Sequence, residues 1–277
     1  MDNCSVLILA GGQGKRLEPL TSLSNPKFIL KNKLGLTMLE MTINRIKNLN
    51  CDIYISTNSA FLDLVKKIVN KYTDLNIKII VEPLFLNTGP SILFSTILLY
   101  RYNKIIILQS DHYYDDENLY LNSIAKIIKK DRNKFFILIK KCVDDFNKFG
   151  VVTCKQNDNN TSFLKIINFI EKPNKLSKDQ LKLSYFINIG TFIYNPKSLL
   201  KFSNNDSLLN DAGLYFNKVL IDKVTIYYIN EEYYIKYNSN SFDQQFLEKD
   251  LPLFGYLYKG GWSDLGSIES YLKWYLL

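Results

Sequence analysis

Three glycines, Gly11, Gly12 and Gly14, follow an apolar run that ends at Ala10. Lys15 and Arg16 come directly after them, and Lys27 stands behind Pro26. Glycines at the end of a strand let backbone N–H groups converge on an anion with no side chain in the way. In open α/β sheets such a loop falls where ligands bind, beyond the carboxyl ends of the strands. The chemistry this stretch can do is phosphate binding. A dinucleotide loop needs a third glycine where Leu17 stands and an acid after the second strand, which ends in Ser56-Thr57. A P-loop needs Ser or Thr after its lysine, where this chain has Arg16, and a glycine where it has Leu9.

Two aspartates add a second kind of chemistry. Asp111 lies in LQSDHYYDD and Asp264 in GGWSDLGSIESYL, each near a predicted strand end. A hard cation such as Mg²⁺ takes one or two carboxylates and completes its shell with substrate phosphates. Either aspartate alone reads equally well as a helix cap or turn residue. His112 is the single histidine; beside Asp111 it is expected to support the carboxylate, not to act as a general base. Glu171, Lys172 and Pro173 in NFIEKPN follow another predicted strand, as an E-K pair before proline does on many surfaces.

These groups need a scaffold. In the first half, strands are predicted at Val6–Ala10, Ile53–Ser56, Ile77–Val81, Lys104–Leu108 and Phe135–Ile139. Helices are predicted between them at Thr37–Leu49, Phe61–Tyr72, Ser91–Tyr100 and Leu119–Lys130. Short buried strands alternating with helices predict a parallel sheet covered on both faces. In the second half, strands are expected at Gly150–Cys154, Phe163–Ile170, Phe186–Tyr194, Val224–Ile229 and Leu253–Leu257, with a turn at Asn157–Asn160. Helices are expected at Leu208–Leu220, Phe242–Lys249 and Ser267–Leu277. One α/β domain with a mixed sheet is the predicted architecture.

Composition excludes several classes. An apolar share of 47% leaves no segment poor enough for disorder. The net charge of +8 is spread along the chain, which speaks against nucleic acid binding. Cys4, Cys51, Cys142 and Cys154 have no metal-ligand spacing, and neither a zinc site nor a disulfide framework is expected. The first residues lack the basic region of a signal peptide. The apolar stretch Ser91–Leu108 is interrupted by Arg101, Asn103 and Lys104 and is too polar to span a membrane. A reducing cytoplasm is the expected location.

Taken together, LAGGQGKRLEPLT and NPKFIL resemble the G-G-x-G-x-R-L-x-P-L-[ST] … P-K signature of the sugar nucleotidyltransferases. VEPLFLNTGPSI, SDH, NFIEKPN, FINIGTFIY, SFDQQFLEKD and W-S-D-L-G resemble later family elements in the same order, from Leu7 to Leu272. VEPLFLNTGPSI is most similar to the guanylyl branch, the mannose-1-phosphate guanylyltransferases. The resemblance implies a Rossmann-like three-layer α/β/α sandwich, mostly parallel, in a single domain over 1–277. About 1–140 would bind nucleotide and about 141–277 sugar, with no C-terminal β-helix or isomerase domain. It implies guanylyl transfer from GTP to mannose 1-phosphate, with Mg²⁺ as cofactor; apart from the resemblance, a homodimer is the commonest assembly expected of a soluble enzyme. Leu9, Ala10, Gly11, Gly12, Gly14, Lys15, Glu82, Asn87 and Thr88 would hold the nucleotide. Arg16 and Lys27 would neutralise the departing pyrophosphate, and Asp111 and Asp264 would hold the metal. Lys172 would grip the sugar phosphate, and Gly150, Glu171, Asn188 and Gly190 the sugar.

The chain departs from the pattern at Glu18, Leu86, Gly89, Gln109 and Asn147-Lys148-Phe149, around base and sugar recognition. Two alternatives therefore stay open: a transferase for another nucleotide and sugar phosphate, and a non-catalytic homologue that binds nucleotide sugars and regulates a partner.

Overall fold

The computed structural model describes residues 3–130, 134–141, 146–154, 161–174, 185–249 and 252–276. β1 (Cys4–Leu9) sends Val6 and Ile8 into one core and Leu7 and Leu9 into another. A strand apolar on both faces can only lie between two covered layers. β2 (Asp52–Asn58), β3 (Ile77–Glu82) and β4 (Lys104–Gln109) join it in parallel, in the order β3-β2-β1-β4. Leu9 lies opposite both Ser56 and Gln109, and Asn58 opposite Glu82. The carboxyl ends of these strands therefore share one edge.

Helices α1 (Met38–Ile46), α2 (Leu62–Val69) and α4 (Glu117–Ile128) pack into the first core through Leu39, Ile43, Val65, Ile68, Ile124 and Ile127. Helix α3 (Thr88–Leu98) fills the second core with Ile92, Leu93, Phe94 and Ile97. Two further helices on that side, α5 (Pro196–Phe202) and α6 (Glu231–Tyr234), add Leu199, Leu200 and Tyr234. The last helix, α7 (Ile268–Leu276), buries Trp274 against Leu17, Leu30, Met38 and Leu265.

The expectation of a mostly parallel sheet fails in the second half. After β4 come β5 (His112–Tyr114) and β6 (Phe135–Lys141), and the second half holds β7 (Gly150–Cys154), β8 (Phe163–Glu171), β9 (Tyr185–Tyr194), β10 (Phe216–Ile221), β11 (Val224–Ile229), β12 (Leu253–Leu257) and β13 (Trp262–Asp264). β9 runs antiparallel to β4, β6 and β7, and β8 is antiparallel to β7 and β12. The parallel exceptions are β6 with β12 and β3 with β11. The full order is β10-β11-β3-β2-β1-β4-β9-β6-β12-β8-β7. Hairpin-joined strands pair antiparallel, whereas parallel neighbours need a long crossover.

Two expected helices are also corrected. Leu208–Leu220 is a 3₁₀ segment, Asp206–Leu214, followed by β10. β10 turns into β11 through Asp222 and Lys223, both with positive φ (50° and 69°). A two-residue turn with both φ positive matches the twist of a hairpin and usually carries Asn-Gly or Asp-Gly; Asp-Lys hides it. Phe242–Lys249 contracts to a π-helical turn, Asp243–Leu247. The predicted turn at Asn157–Asn160 lies outside the described residues.

The cysteines correct a third expectation. Cys4 and Cys51 form a disulfide across 47 residues, with Cα atoms 5.1 Å apart. The parallel register sets Ser5 opposite Asp52, so the residues just before them meet at the strand starts. Sequence spacing cannot reveal such a contact between neighbouring strands. Cys154 is free and buried.

Helix α1 begins with a capping box: the Thr37 hydroxyl accepts from Glu40 N, and the Glu40 carboxylate accepts from Thr37 N. Lys71 ties Glu40 to the neighbouring helix at 2.7 Å. Thr37→Ala should lower unfolding stability by about 1 kcal/mol, read as a lower urea midpoint at unchanged slope.

Candidate functional site

The glycine loop closes over Lys27. Gly14 has φ 73°, and a Cβ there would lie 2.8 Å from the Lys27 Cβ. Left-handed backbone and close approach both demand glycine at this position. The Thr21 hydroxyl donates to the Gly14 carbonyl at 2.9 Å and holds the turn. Lys27 itself opens a 3₁₀ turn, Lys27–Ile29, and is buried.

A cavity of about 580 Å³ opens beyond this edge of the sheet. Of the residues expected at the nucleotide, Leu9, Gly11, Gly12, Gly14, Lys15, Glu82, Asn87 and Thr88 line it, with Arg16, Lys27 and Asp111. Ala10 does not: it packs into the core, and its carbonyl accepts from the Thr57 hydroxyl at 2.9 Å. Gln109, a departure from the family pattern, lines the cavity too, as do Phe85, Ser91 and Ser239, which sequence reasoning passed over. Glu82 lies behind the loop, 3.3 Å from where a Gly11 Cβ would sit. Burial raises its carboxyl above the ordinary value. The hydroxyls of Ser91, Ser56 and Tyr234 counter this, each donating to it at 2.8 Å.

The two aspartates meet, although 153 positions separate their numbers in the chain (264 − 111). Asp111 follows β4, and β13 pairs with β5 so that Asp264 lies opposite His112. The Lys27 ammonium contacts Asp111 Oδ2 and lies 3.4 Å from Asp264 Oδ1, and Arg16 Nη2 lies 3.7 Å from Asp264 Oδ2. Burial pushes the Asp111 carboxyl up, but Lys27 and then His112 outweigh it and hold it at about 2. The two carboxylates already hold a cation between them, the Lys27 ammonium. An oxygen-only pair of this kind fits Mg²⁺ with phosphates completing the shell. Among the described residues no group of three or more His, Cys, Asp or Glu side chains forms a self-sufficient metal cage.

The residues expected at the sugar form a second cluster. Gly150 pairs with Glu171 across β7 and β8, and a Cβ there would meet Phe169 at 2.5 Å and Glu171 Oε2 at 2.9 Å. Lys172 has φ 45° and its ammonium lies 2.8 Å from Glu171 Oε1. Asn188 accepts from Gly190 N at 3.0 Å and donates to Asp243 at 2.8 Å. Asp243 and Glu248, which accepts from Glu171 N at 2.8 Å, are further members. Both stand in SFDQQFLEKD, far along the chain from the E-K pair, and no local pattern marks them as its neighbours. Burial, then the Glu171 charge, raises the Asp243 carboxyl to about 7.

His112 joins the two clusters. A Cβ on Gly190 would lie 2.5 Å from its Cε1, and its Nε2 is 4.0 Å from Asp111 Oδ1. Its ring meets Trp262 edge-on at 5.3 Å. Burial pushes the imidazole below its ordinary value against the pull of Asp111 and Asp264. A neutral, packed ring suits support of Asp111.

The sequence profile of the nucleotidyl transferase family matches residues 5–276. A mannose-1-phosphate guanylyltransferase of Salmonella montevideo is 25% identical over 95% of this chain and 58% of its own length. A glucose-1-phosphate adenylyltransferase of Clostridium novyi is 24% identical over 95% of this chain and 64% of its own length. The chain thus spans less than two thirds of these curated relatives. A solved structure described as a mannose-1-phosphate geranyltransferase from Thermus thermophilus has the same fold, with TM-score 0.76 at 23% identity over 96% of this chain and 77% of that one.

Asp243 makes stability depend on pH. Its folded value of about 7 lies above the ordinary 3.8, so the folded state holds the proton more tightly. Its favourable contribution is complete at low pH and is lost as pH rises through about 7. Relative to Asp243→Asn, the wild-type melting temperature should fall across that window, as a pH series of thermal melts on both proteins would record.

Proposed function

The chain belongs to the nucleotidyl transferase family, and on that footing we propose that it transfers a guanylyl group from GTP to mannose 1-phosphate. The products are GDP-mannose and pyrophosphate. The observation that carries the proposal is the Lys27 ammonium set between Asp111 and Asp264 at the mouth of a glycine loop. A site with paired carboxylates and cations beside bare backbone N–H groups suits a triphosphate and a divalent cation together.

In the proposed reaction an oxygen of the sugar phosphate attacks the α-phosphorus of GTP in line. The new P–O bond forms as the bond to the β-phosphate oxygen breaks, and pyrophosphate leaves with that electron pair. The attacking oxygen is already anionic, so no general base is needed, in keeping with a neutral His112. The glycine loop orients the triphosphate. Arg16, whose side chain is largely exposed, and Lys27 stabilise the charge that builds on the leaving group. Lys172, beside Glu171, fixes the attacking phosphate, and positioning of this kind removes much of the barrier. Asp111 and Asp264 would hold Mg²⁺, which when bound polarises the phosphates and neutralises their charge.

Guanine as the base is supported by Glu82. Guanine presents N1–H and the 2-amino group side by side, two donors that suit a carboxylate. Uracil and thymine present one N–H between two carbonyl oxygens, which a carboxylate repels. Ser56 and Ser91 both donate to Glu82 Oε1 and Tyr234 donates to Oε2, so one acceptor site, on Oε2, stays open to a single N–H of a base. The names of the relatives include both guanylyl and adenylyl transfer, so the base is a point to test directly.

A panel of four nucleoside triphosphates against mannose and glucose 1-phosphates, assayed by pyrophosphate release, should give its highest kcat/KM with GTP and mannose 1-phosphate. Preference for another pair would keep the reaction class and replace the substrates; no release with any pair would refute the enzyme. Glu82→Gln should erode the preference for GTP over UTP by about 1.5–3 kcal/mol, the usual scale of a hydrogen bond to a charged group. Asp264→Ala should lower kcat by ~10²–10³, and full activity in that variant would refute the metal role of Asp264.

A further inference from the structure

We infer that Thr42 and Arg45, which line neither substrate cluster, are positioning residues that set the Asp111 carboxylate for catalysis. The inference rests on the reading of Asp111 as a carboxylate of the metal and phosphate site.

Three consecutive carbonyls around Asp111 are each taken by a donor from outside the loop. The Thr42 hydroxyl donates to Ser110 O at 3.2 Å. Leu265 N, next to Asp264, donates to Asp111 O at 3.0 Å. Arg45 Nη2 donates to His112 O at 3.1 Å. Thr42 and Arg45 are three residues apart on α1, the spacing that puts side chains on one helix face. The helix thus grips the peptide on both sides of Asp111, while the strand carrying Asp264 grips it in the middle. With its backbone held at three points, the loop leaves Asp111 little freedom except in its own side chain.

Arg45 is itself held. It is buried, its Nε donates to Glu117 at 3.1 Å, and its guanidinium lies over the rings of Tyr114 at 5.0 Å and Tyr120 at 5.8 Å. Those rings stack at 3.8 Å, and both hydroxyls contact Thr191, next to Gly190. The clamp therefore reaches from the metal carboxylate to the strand that carries the sugar residues. A buried cation with a single carboxylate partner is a poor source of stability, since desolvation offsets much of its attraction. Its use here is geometric: a rigid fork can reach Glu117 and the His112 carbonyl at once, and a lysine cannot.

The test uses the full chain and Mn²⁺ alone as probe, followed by water-proton relaxation, with steady-state kinetics beside it. Thr42→Val keeps the shape and removes the donor; Arg45→Met removes the fork, and Arg45→Lys returns part of it. Thr42→Val and Arg45→Met should each weaken Mn²⁺ binding by about 10-fold or more and lower kcat similarly. With the metal saturating, KM for both substrates should stay within about two-fold, since neither residue lines a substrate cluster, and Arg45→Lys should fall between Arg45→Met and wild type. Val65→Ala, a core change remote from the loop, should lower the melting temperature without moving Mn²⁺ affinity. If Thr42→Val and Arg45→Met bind Mn²⁺ as wild type while Asp111→Asn does not, the inference is overturned and the metal reading stands. If Asp111→Asn also binds as wild type, the metal reading of Asp111 falls and takes the inference with it.

Discussion

The site depends on one electrostatic arrangement, an ammonium held between two carboxylates that come from distant parts of the chain. Lys27 is buried beneath the glycine loop, where a lone cation would suffer a desolvation penalty of several kcal/mol. Asp111 and Asp264 offset it, and Lys27 in turn keeps Asp111 ionised far below neutral pH. Gly14 must be glycine because Lys27 lies directly beneath it, and the β5–β13 ribbon must form because Asp264 reaches Asp111 through that pairing.

The sheet makes the arrangement possible by changing direction. Four parallel strands bring the glycine loop, Glu82 and Asp111 to one edge. β9 then runs antiparallel beside β4, and at Gly190 its backbone lies against His112. This contact closes the distance between the Lys27–Asp111–Asp264 cluster and the Glu171–Lys172–Asn188–Asp243 cluster. An all-parallel sheet would have sent the second half's strands out along the same direction and put helical crossovers between them.

Much of the fold was legible because its first half obeys strong local rules. β1 through β4 are apolar runs between helices, amphipathic except for the almost wholly buried α3, and each predicted strand or helix there is present with its ends shifted by a few residues. The second half was harder to read. β10 was hidden in a predicted helix because its turn uses Asp-Lys, and the short α6 carries Tyr234 to Glu82 without any sequence mark. β5 and β13 are three residues each and exist only as a pair. No local pattern can predict a strand whose single support is a partner so distant in the chain.

The residue types on which the proposed phosphate and metal chemistry rests were set by the sequence alone: the bare loop of Gly11, Gly12 and Gly14, the cations Arg16 and Lys27, and the carboxylates of Asp111 and Asp264. These are chemical identities, and order along a chain suffices to reveal them. Proximity was decided by the tertiary structure. It brought Asp264 to Lys27 and placed Ala10 in the core, not in the cavity. It also joined Cys4 to Cys51, added Asp243 to the cluster of Glu171, Lys172 and Asn188, and aimed Thr42 and Arg45 at the carbonyls beside Asp111. Each of these depends on strand register and helix docking, which are settled by packing across the whole core and leave no trace in the spacing of any one segment.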